Sequence, residues 1–434
     1  MRISTVTMFD QSMSSMNRQQ SDFLKVSQQI ASGRRVVNPS DDPQASSRAV
    51  GVGQAQAITQ QYTDARISAR NSLAQAESVV NSVADSITSA KTLLVQAASD
   101  TLSDVDRQSV ASELRGVYET LIGQANATDG NGRYLFGGYR DDAPPFARTG
   151  GEGVSGTQYI GDTNSREQRI DASRLMPVSD NGKTIFQSVP SGAGYVARAE
   201  RGEAPAGDSS TLGVQDGYYA NAGSVTFTSG PNRVDPNDEH FGKPFELEFG
   251  TDGDGSPIFS VSVIEEDGSR TKIVTDEAYE SGKAISVGGV SITLEGTPAD
   301  GDQIQLRPAD AEKGNQDLFK TIKDAIDLLE LDQEGTAENR AHFRNTINTA
   351  MRELDNNLDN ALTVRASMGA RLNELDVVDA VAGNRMMNYA QTMSDLVDLN
   401  YGEAIAEYSL RQVGLQAAQR AFVDVKGMSL FNYL

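Results

Sequence analysis

The chain has 434 residues, with 38 Lys and Arg against 60 Asp and Glu, so its net charge is −22 at pH 7. This length suits roughly two to four domains, and the acidic balance argues against nucleic acid or anionic lipid as the main partner, because phosphate groups are bound by basic surfaces. With no Cys and two His, the sequence excludes disulfides, a thiol nucleophile and a His-rich metal site.

The N-terminal segment carries one narrow apolar stripe. Phe9-Asp10 stands where a secretory signal peptide would need an unbroken apolar stretch, so no cleaved signal is predicted. Nor does any apolar run reach the roughly 18 residues of a membrane-spanning helix. The stripe instead predicts a helix that is marginal alone in water; its members are Ile3, Val6, Phe9, Met13, Met16, Phe23 and Ile30.

A polar turn follows this helix. The run from Asn38 to Pro43, Asn-Pro-Ser-Asp-Asp-Pro, contains only turn-forming and helix-capping residues. Asp41 and Asp42 then fall at the positive end of the next helix, where acidic side chains are favourable. The turn therefore predicts an exposed loop with mixed charge, supplied by Arg35 as well as the two aspartates.

A long helix is predicted after the turn. Steps of three and four residues from Ala45 to Ala97 meet apolar side chains at 13 of 16 positions. Such a sustained seam is typical of a coiled-coil-like helix. A second helix is predicted from about Val105 to Ala125.

The middle of the chain predicts strands and turns, because 29 of the 40 Gly and most of the 13 Pro lie there. Clear period-two alternation marks 224–228, 245–249, 258–264, 290–294 and 303–306, and weaker signals lie near Tyr159-Ile160 and Ile185-Phe186. We expect residues 146–309 to form an inserted, mostly-β domain, which divides into units at 146–205 and 206–309 if the polar stretch 199–210 separates them.

Two short motifs in this region resemble chemical sites but lack the required context. Residues 151–156 match G-x-G-x-x-G, yet no strand precedes them and no helix follows. Asp252-Gly-Asp254-Gly255 begins like a calcium loop, but its closing position falls on Val263, so a hairpin turn is expected. His240 and His342 are expected to have surface or packing roles. No catalytic, metal or cofactor site is predicted, and the chain is not expected to be an enzyme.

The C-terminal part repeats the long seam. Apolar residues occupy 12 of 14 seam positions from Met351 to Leu396, after a shorter helix at Asp317 to Leu331. Neither long helix can bury its seam alone, so we expect the two chain ends to pack antiparallel as a helical rod. The competing arrangement is a homodimeric coiled coil. The predicted fold class is α+β, with the rod core formed by 36–145 and 310–397.

A last helical segment pairs with the first. Residues 398–434 are expected to pack with residues 1–35 and to order fully only against neighbouring subunits, because both stripes are narrow. The apolar residues assigned to this terminal packing are Ile405, Leu415, Phe422, Val425, Leu430 and Phe431.

Residues 28–50 resemble the N-terminal signature of the bacterial flagellin family. The matching residues are Ile30, Ser32, Gly33, Arg35, Val37, Asn38, Asp41 and Asp42. The opening Met1–Thr5, the segment Asn131–Gly138 with the following Pro-Pro-Phe, and the end Ser429–Leu434 resemble the hook–filament junction members of that family.

This resemblance implies a structural role in the flagellum. Subunits would form a junction ring between hook and filament, with flagellin, hook-associated protein 1 and further copies of the chain as partners. Arg35, Asn38, Asp41 and Asp42 would contact neighbouring subunits. An export chaperone would hold the apolar C-terminal helix, and the flagellar type III apparatus would carry the chain out of the cell without a cleaved signal peptide.

Two alternatives remain open at this stage. The chain could be a flagellin, which would differ by polymerising into long filaments. It could also carry a ligand-binding or enzymatic module in the β insertion, although no cluster of polar residues marks one.

Overall fold

The computed structural model describes residues 5–99, 102–149, 156–190, 193–201, 219–228, 230–309, 316–331 and 336–427. Its ends are helical and its middle is mostly β, as predicted. The helices are α1 (Thr5–Ser32), α2 (Pro43–Ala97), α3 (Asp104–Ala125), α4 (Gly182–Phe186), α5 (Leu318–Glu330), α6 (Ala337–Val397) and α7 (Tyr401–Gly427).

Local capping residues explain where several helices begin. Asp42 precedes α2 with Pro43 at the first helical position, where a missing N–H costs nothing. Ser103 and Asp106 form a reciprocal capping box at α3. The Asp317 carboxylate accepts hydrogen bonds from the first N–H groups of α5.

The strands form one larger sheet, one smaller sheet and several short ribbons. They are β1 (Phe146–Thr149), β2 (Gly156–Tyr159), β3 (Glu167–Asp171), β4 (Arg174–Pro177), β5 (Val196–Arg198), β6 (Glu200–Arg201), β7 (Tyr219–Ala220), β8 (Thr226–Phe227), β9 (Asn232–Arg233), β10 (Phe245–Thr251), β11 (Pro257–Ile264), β12 (Arg270–Ala278), β13 (Ala284–Val287), β14 (Val290–Glu295) and β15 (Gln303–Arg307). The larger sheet has the order β12-β11-β10-β15-β5 and the smaller one β13-β14-β8, with β9 also on β14. β1 pairs with β2, β3 with β4, and β6 with β7.

The two sheets share one apolar core. On β10, Phe245, Leu247 and Phe249 are buried in it, together with alternate residues of β11, β14 and β15. The hairpin between β10 and β11 turns at Asp252–Gly255, so the expected turn stands where a calcium loop was considered.

The chain divides into two compact units. Unit 1 comprises 1–67, 169–174 and 375–434, and unit 2 comprises 68–168 and 175–374. The predicted boundaries at 36, 146, 310 and 398 differ from this division and stay a prediction.

Within each unit, α2 and α6 pair in opposite directions. In unit 1, Arg66 forms an ion pair with Asp379, and a Cβ on Gly53 would lie 3.6 Å from Met393 Cε. In unit 2, Glu77 pairs with Arg365 at 3.2 Å and Lys91 with Asp355 at 2.5 Å. As the number on α2 rises, its partner's number on α6 falls. The predicted antiparallel pairing of the two chain ends is therefore confirmed within one chain.

One weak strand prediction was wrong. Ile185 and Phe186 end the short helix α4 rather than lying in a strand. The cause is local, because the Asn181 side chain accepts a hydrogen bond from the Thr184 N–H and starts a helical turn there.

The β region of unit 2 is joined to the helices by many polar contacts. Asn360 of α6 donates to the carbonyls of Thr184 and Ile185 at 2.8 and 3.0 Å, and Thr349 donates to the carbonyl of Ala197 at 2.7 Å. Arg198 pairs with Glu353 at 2.7 Å. Side chains of α6 thus complete the hydrogen bonding of the α4 and β5 backbone.

Aromatic packing joins the same parts. The Phe319 ring of α5 lies 5.0 Å from the Phe146 ring and 5.6 Å from the Phe186 ring, between ring centroids. Phe146 and Phe186 also pack on each other, with 5.2 Å between their ring centroids, so both rings and Phe319 form one aromatic cluster. This part of the β region therefore shares its apolar contacts with α5, and the bounds of the insertion stay a prediction.

We expect replacement of residues 146–309 by a short Gly/Ser linker to yield an aggregating protein. The deletion would expose Phe319 to water, remove both hydrogen-bond partners of the buried Asn345 side chain and remove the Arg198 partner of Glu353, and each effect is unfavourable. Size-exclusion chromatography with circular dichroism checks this result. A soluble, helical monomer would show that α5 and α6 do not need the β region.

Candidate functional site

The first and last helices of unit 1 pack antiparallel. The Phe23 and Tyr408 rings lie 4.9 Å apart between centroids. Asp22 forms an ion pair with Arg411 at 3.1 Å. These contacts place the two chain ends side by side, as the paired terminal stripes predicted.

The pairing continues past the helix ends into backbone hydrogen bonds. The Leu399 N–H donates to the Gly33 carbonyl at 3.0 Å, and the Arg35 N–H donates to the Val397 carbonyl at 2.7 Å. Gly33 has φ +68°, and a Cβ there would lie 3.0 Å from the Tyr401 hydroxyl. The turn after α1 is thus clamped to the junction between α6 and α7, and glycine is required at this position.

The Arg35 side chain also joins this turn to the end of α6. Its Nη2 donates to the Leu396 carbonyl at 2.6 Å, and its Nη1 pairs with Asp42 at 3.1 Å. The Gln29 side-chain amide donates to the Arg35 carbonyl at 2.6 Å. One side chain therefore links the end of α6 with the beginning of α2.

Asp41 and Asp42 fix the shape of the turn. Asp41 accepts backbone hydrogen bonds from Asn38 at 2.9 Å and Val37 at 3.2 Å. Asp42 accepts one from Ala45 at 3.0 Å. The bond from Asn38, then the pairing with Lys25, lowers the pKa of Asp41. The bond from Ala45, then the pairing with Arg35, lowers the pKa of Asp42.

We expect Asp42→Ala to lower the melting temperature of the protein, because it removes the cap of α2. Asp42→Asn should retain most of the stability, because an amide oxygen still accepts the Ala45 N–H. A group with a depressed pKa stabilises above its ordinary pKa of 3.8 and loses that contribution as the pH falls through the folded value. The gap between wild type and Asp42→Ala should therefore narrow in acid, towards the gap between Asp42→Asn and Asp42→Ala, because the neutral carboxyl still accepts the Ala45 N–H.

Thermal melts of the three proteins across the acid range check this prediction. An equal gap at neutral and strongly acid pH would contradict the role of the ionised carboxylate.

The four residues predicted for the interface lie together in this one turn. Arg35, Asp41 and Asp42 make the contacts within the chain described above, whereas Asn38 is exposed at the tip beside Pro39 and Ser40. Sequence reasoning missed the half of the site that comes from 396–401. Leu396 and Val397 contribute backbone carbonyls, which leave no signal in a sequence.

The predicted terminal residues have different environments. Ile405 is 54% exposed, while Leu415 and Phe422 are half-buried. The Val425 side chain, Leu430 and Phe431 lie outside the described residues. Helix α7 also exposes Leu410, Val413 and Val423. Its apolar surface is therefore larger than α1 covers.

Within the described ranges, His, Asp and Glu side chains form no group of three that could hold a metal ion. The described helices include none long and apolar enough to cross a membrane.

Comparison with known proteins gives consistent results. Residues 3–141 match the family model for the bacterial flagellin N-terminal helical region. The chain is 30% identical over 432 residues to flagellar hook-associated protein 3 of Escherichia coli strain K12, covering 100% of this chain and 99% of the relative. It is 31% identical over 433 residues to the protein of the same name from Salmonella typhimurium, with the same coverage.

Solved structures share the fold. Flagellar hook associated protein-3 from Legionella pneumophila matches with a TM-score of 0.66 at 23% identity, covering 80% of this chain and 98% of that one. FlgL from Xanthomonas campestris matches with a TM-score of 0.64 at 23% identity, covering 79% of this chain and 99% of that one.

Proposed function

Because this chain belongs to the flagellar hook-associated protein 3 family, we propose that it is a structural subunit of the bacterial flagellum that assembles into the hook–filament junction. The observation that carries the proposal is the match to its relatives over the full length of both chains. The paired chain ends of unit 1 fit such a role, since they combine a rigid turn with an uncovered apolar helix surface.

The subunits form a ring with flagellin on one side and hook-associated protein 1 on the other. Before assembly, an export chaperone covers the apolar surface of α7 that includes Ile405, Leu410 and Val413. The chain leaves the cell through the flagellar type III apparatus and ends outside it, in the flagellum. This assignment makes the exposed apolar residues useful, because each would be buried against a partner.

The assembly interface is formed by Arg35, Asn38, Asp41 and Asp42, and these residues have different roles in it. Arg35 and the two aspartates hold the turn rigid, so its exposed tip meets a neighbour without losing conformational freedom on binding. Asn38, at that tip, supplies the contact. Reversing the charges of Arg35 and Asp42 would not separate a role in the interface from a role in folding. The change also removes the helix cap and the bond to the Leu396 carbonyl.

We expect Asn38→Lys to reduce swimming on soft agar strongly while the purified protein melts within a few degrees of wild type. The lysine would desolvate a charge at an interface that recurs in every copy of the ring. Asn237→Lys, the same change on an exposed loop of the β region, is the matched control and should swim normally. Normal swimming by Asn38→Lys would contradict the placement of the interface at this turn.

Electron microscopy of flagella labelled with an antibody to the chain tests the function itself. A junction subunit gives a single band at the boundary between hook and filament. Label along the whole filament would instead identify a flagellin. Purified protein gives a second distinction, because a flagellin polymerises into long filaments and a junction subunit does not do so readily.

A further inference from the structure

The sequence contains two Asn-Gly pairs, Asn131-Gly132 and Asn181-Gly182. An asparagine followed by glycine is prone to deamidation, because glycine has no side chain to hinder attack by its own backbone nitrogen on the preceding amide. We propose that Asn131 is a site of spontaneous deamidation in the folded protein and that the fold protects Asn181.

Asn131 lies in an exposed loop between α3 and the segment that leads to β1. Gly132 has φ +80°, a conformation natural only to glycine, and nothing lies within 4 Å of the position its Cβ would take. No described atom outside the loop therefore crowds Gly132 on the side where a larger residue would carry its Cβ.

Asn181 has the opposite environment. Its side chain is buried, its Nδ2 donates to the Thr163 carbonyl at 2.8 Å, and its Oδ1 accepts from the Thr184 N–H at 2.9 Å. The Gly182 N–H donates to the Phe136 carbonyl at 2.8 Å. Both reacting groups are thus held in hydrogen bonds inside the core, and ring closure would have to break all three.

The reaction needs no reagent beyond water. The Gly132 nitrogen attacks the Asn131 Cγ, a C–N bond forms, the Cγ–Nδ2 bond breaks, and ammonia leaves with the proton from the Gly132 nitrogen. The resulting succinimide is opened by one water molecule. Cleavage at Cγ gives an aspartate in a normal backbone, and cleavage at the main-chain carbonyl gives a backbone that continues through the side chain.

Hydrogen bonds within the loop also limit the rate of deamidation at Asn131. Asp129 Oδ1 accepts hydrogen bonds from the N–H groups of Asn131 at 2.8 Å and Arg133 at 2.9 Å. The Gly132 N–H donates to the Asp129 carbonyl at 3.0 Å. Because that last bond occupies the attacking nitrogen, deamidation requires the loop to open first.

A second loop of the chain shows that an aspartate can occupy the position of Asn131 in a loop of this kind. Asp252 Oδ1 accepts from Asp254 N–H at 3.0 Å and Ser256 N–H at 2.7 Å, and the Gly255 N–H donates to the Asp252 carbonyl at 3.1 Å. Gly255 has φ +82°. This is the pattern of the Asp129 loop, with Asp254 in the place of Asn131. A normal aspartate therefore keeps the loop, whereas the product with the extended backbone cannot keep both bonds to Asp129.

Peptide mapping by mass spectrometry tests the proposal on the purified full-length protein after incubation in mildly alkaline buffer. We expect the peptide with Asn131 to convert at least about tenfold faster than the peptide with Asn181 while the protein is folded, because only local opening is needed at the first site. In urea, the two peptides should convert at similar rates.

Two variants separate the steps. Asp129→Ala should accelerate conversion at residue 131, because it releases the loop, and Asn131→Asp should melt like wild type, because Asp254 occupies the same conformation in the second loop. Equal rates at the two sites in the folded protein would overturn the proposal. Absence of conversion at Asn131 in the folded protein, with conversion in urea, would overturn it as well.

Discussion

Asp379→Leu should lower the free energy of unfolding of the protein by about 3–5 kcal/mol, because it leaves a buried guanidinium without its charge partner. Arg66 is 1% exposed, whereas Asp379 retains 27% exposure of its side chain. Arg66 also donates to the Ile170 carbonyl at 2.8 Å and to the Thr63 hydroxyl at 2.9 Å. Those neutral acceptors cannot replace a carboxylate.

The reverse change should cost less. Arg66→Met leaves an aspartate that reaches water, so its desolvation is incomplete. The double variant Arg66→Met, Asp379→Leu removes both charges and should recover much of the loss, since apolar residues often replace a buried pair without penalty. Urea titrations of the two single variants and the double variant measure the coupling between the residues.

The pair of Arg385 and Asp171, 3.1 Å apart, is the matched control in unit 1. Arg385 is 45% exposed, and exposed ion pairs contribute about 0–1 kcal/mol. Arg385→Met should therefore change stability little. A loss for Asp379→Leu no larger than for Arg385→Met would contradict the electrostatic role of the Arg66 pair.

The same pair shows how far the sequence could predict the helical part. The seams were visible because apolar spacing is a local property: most seam positions of α2 are buried, and those of α6 are buried or half-buried. Arg66 and Asp379 stood in those seams as polar exceptions. That they meet each other depends on the register of two helices separated by 313 positions in the chain, which no local pattern contains.

Strand prediction succeeded where one face of a strand is buried. β14 alternates between buried and less buried residues, and β10 directs Phe245, Leu247 and Phe249 to one buried face, so the period-two pattern of both strands is clear. β12 is a mostly exposed edge strand with charged residues on both faces, and it left no such pattern. Helix α4 was misassigned because five residues are too few for a helical period, so the capping side chain of Asn181 decided the structure.

The candidate site was half visible for a related reason. The turn around Asp41 and Asp42 is encoded by the side chains that build it, and those residues can be recognised in order along the chain. Its other half, at 396–399, acts through main-chain groups that any residue would provide. Residue identity therefore located the turn but not the surface on which it is clamped.

Asn345→Leu should destabilise unit 2 by about 2–5 kcal/mol, because it leaves two buried backbone groups, one in β8 and one in the residue before it, without their hydrogen-bond partner. Asn345 Oδ1 accepts from the Phe227 N–H at 3.0 Å, and its Nδ2 donates to the Val225 carbonyl at 2.8 Å. The side chain thus replaces a neighbouring strand on the edge of β8 that β14 does not cover, and leucine fills a similar volume without either bond.

Asn373→Leu, an exposed position on the same helix, is the control and should cost little. Urea titration and hydrogen exchange at Phe227 measure both effects. Equal stability of the two variants, with Phe227 still protected, would mean that the smaller sheet holds β8 without help from α6.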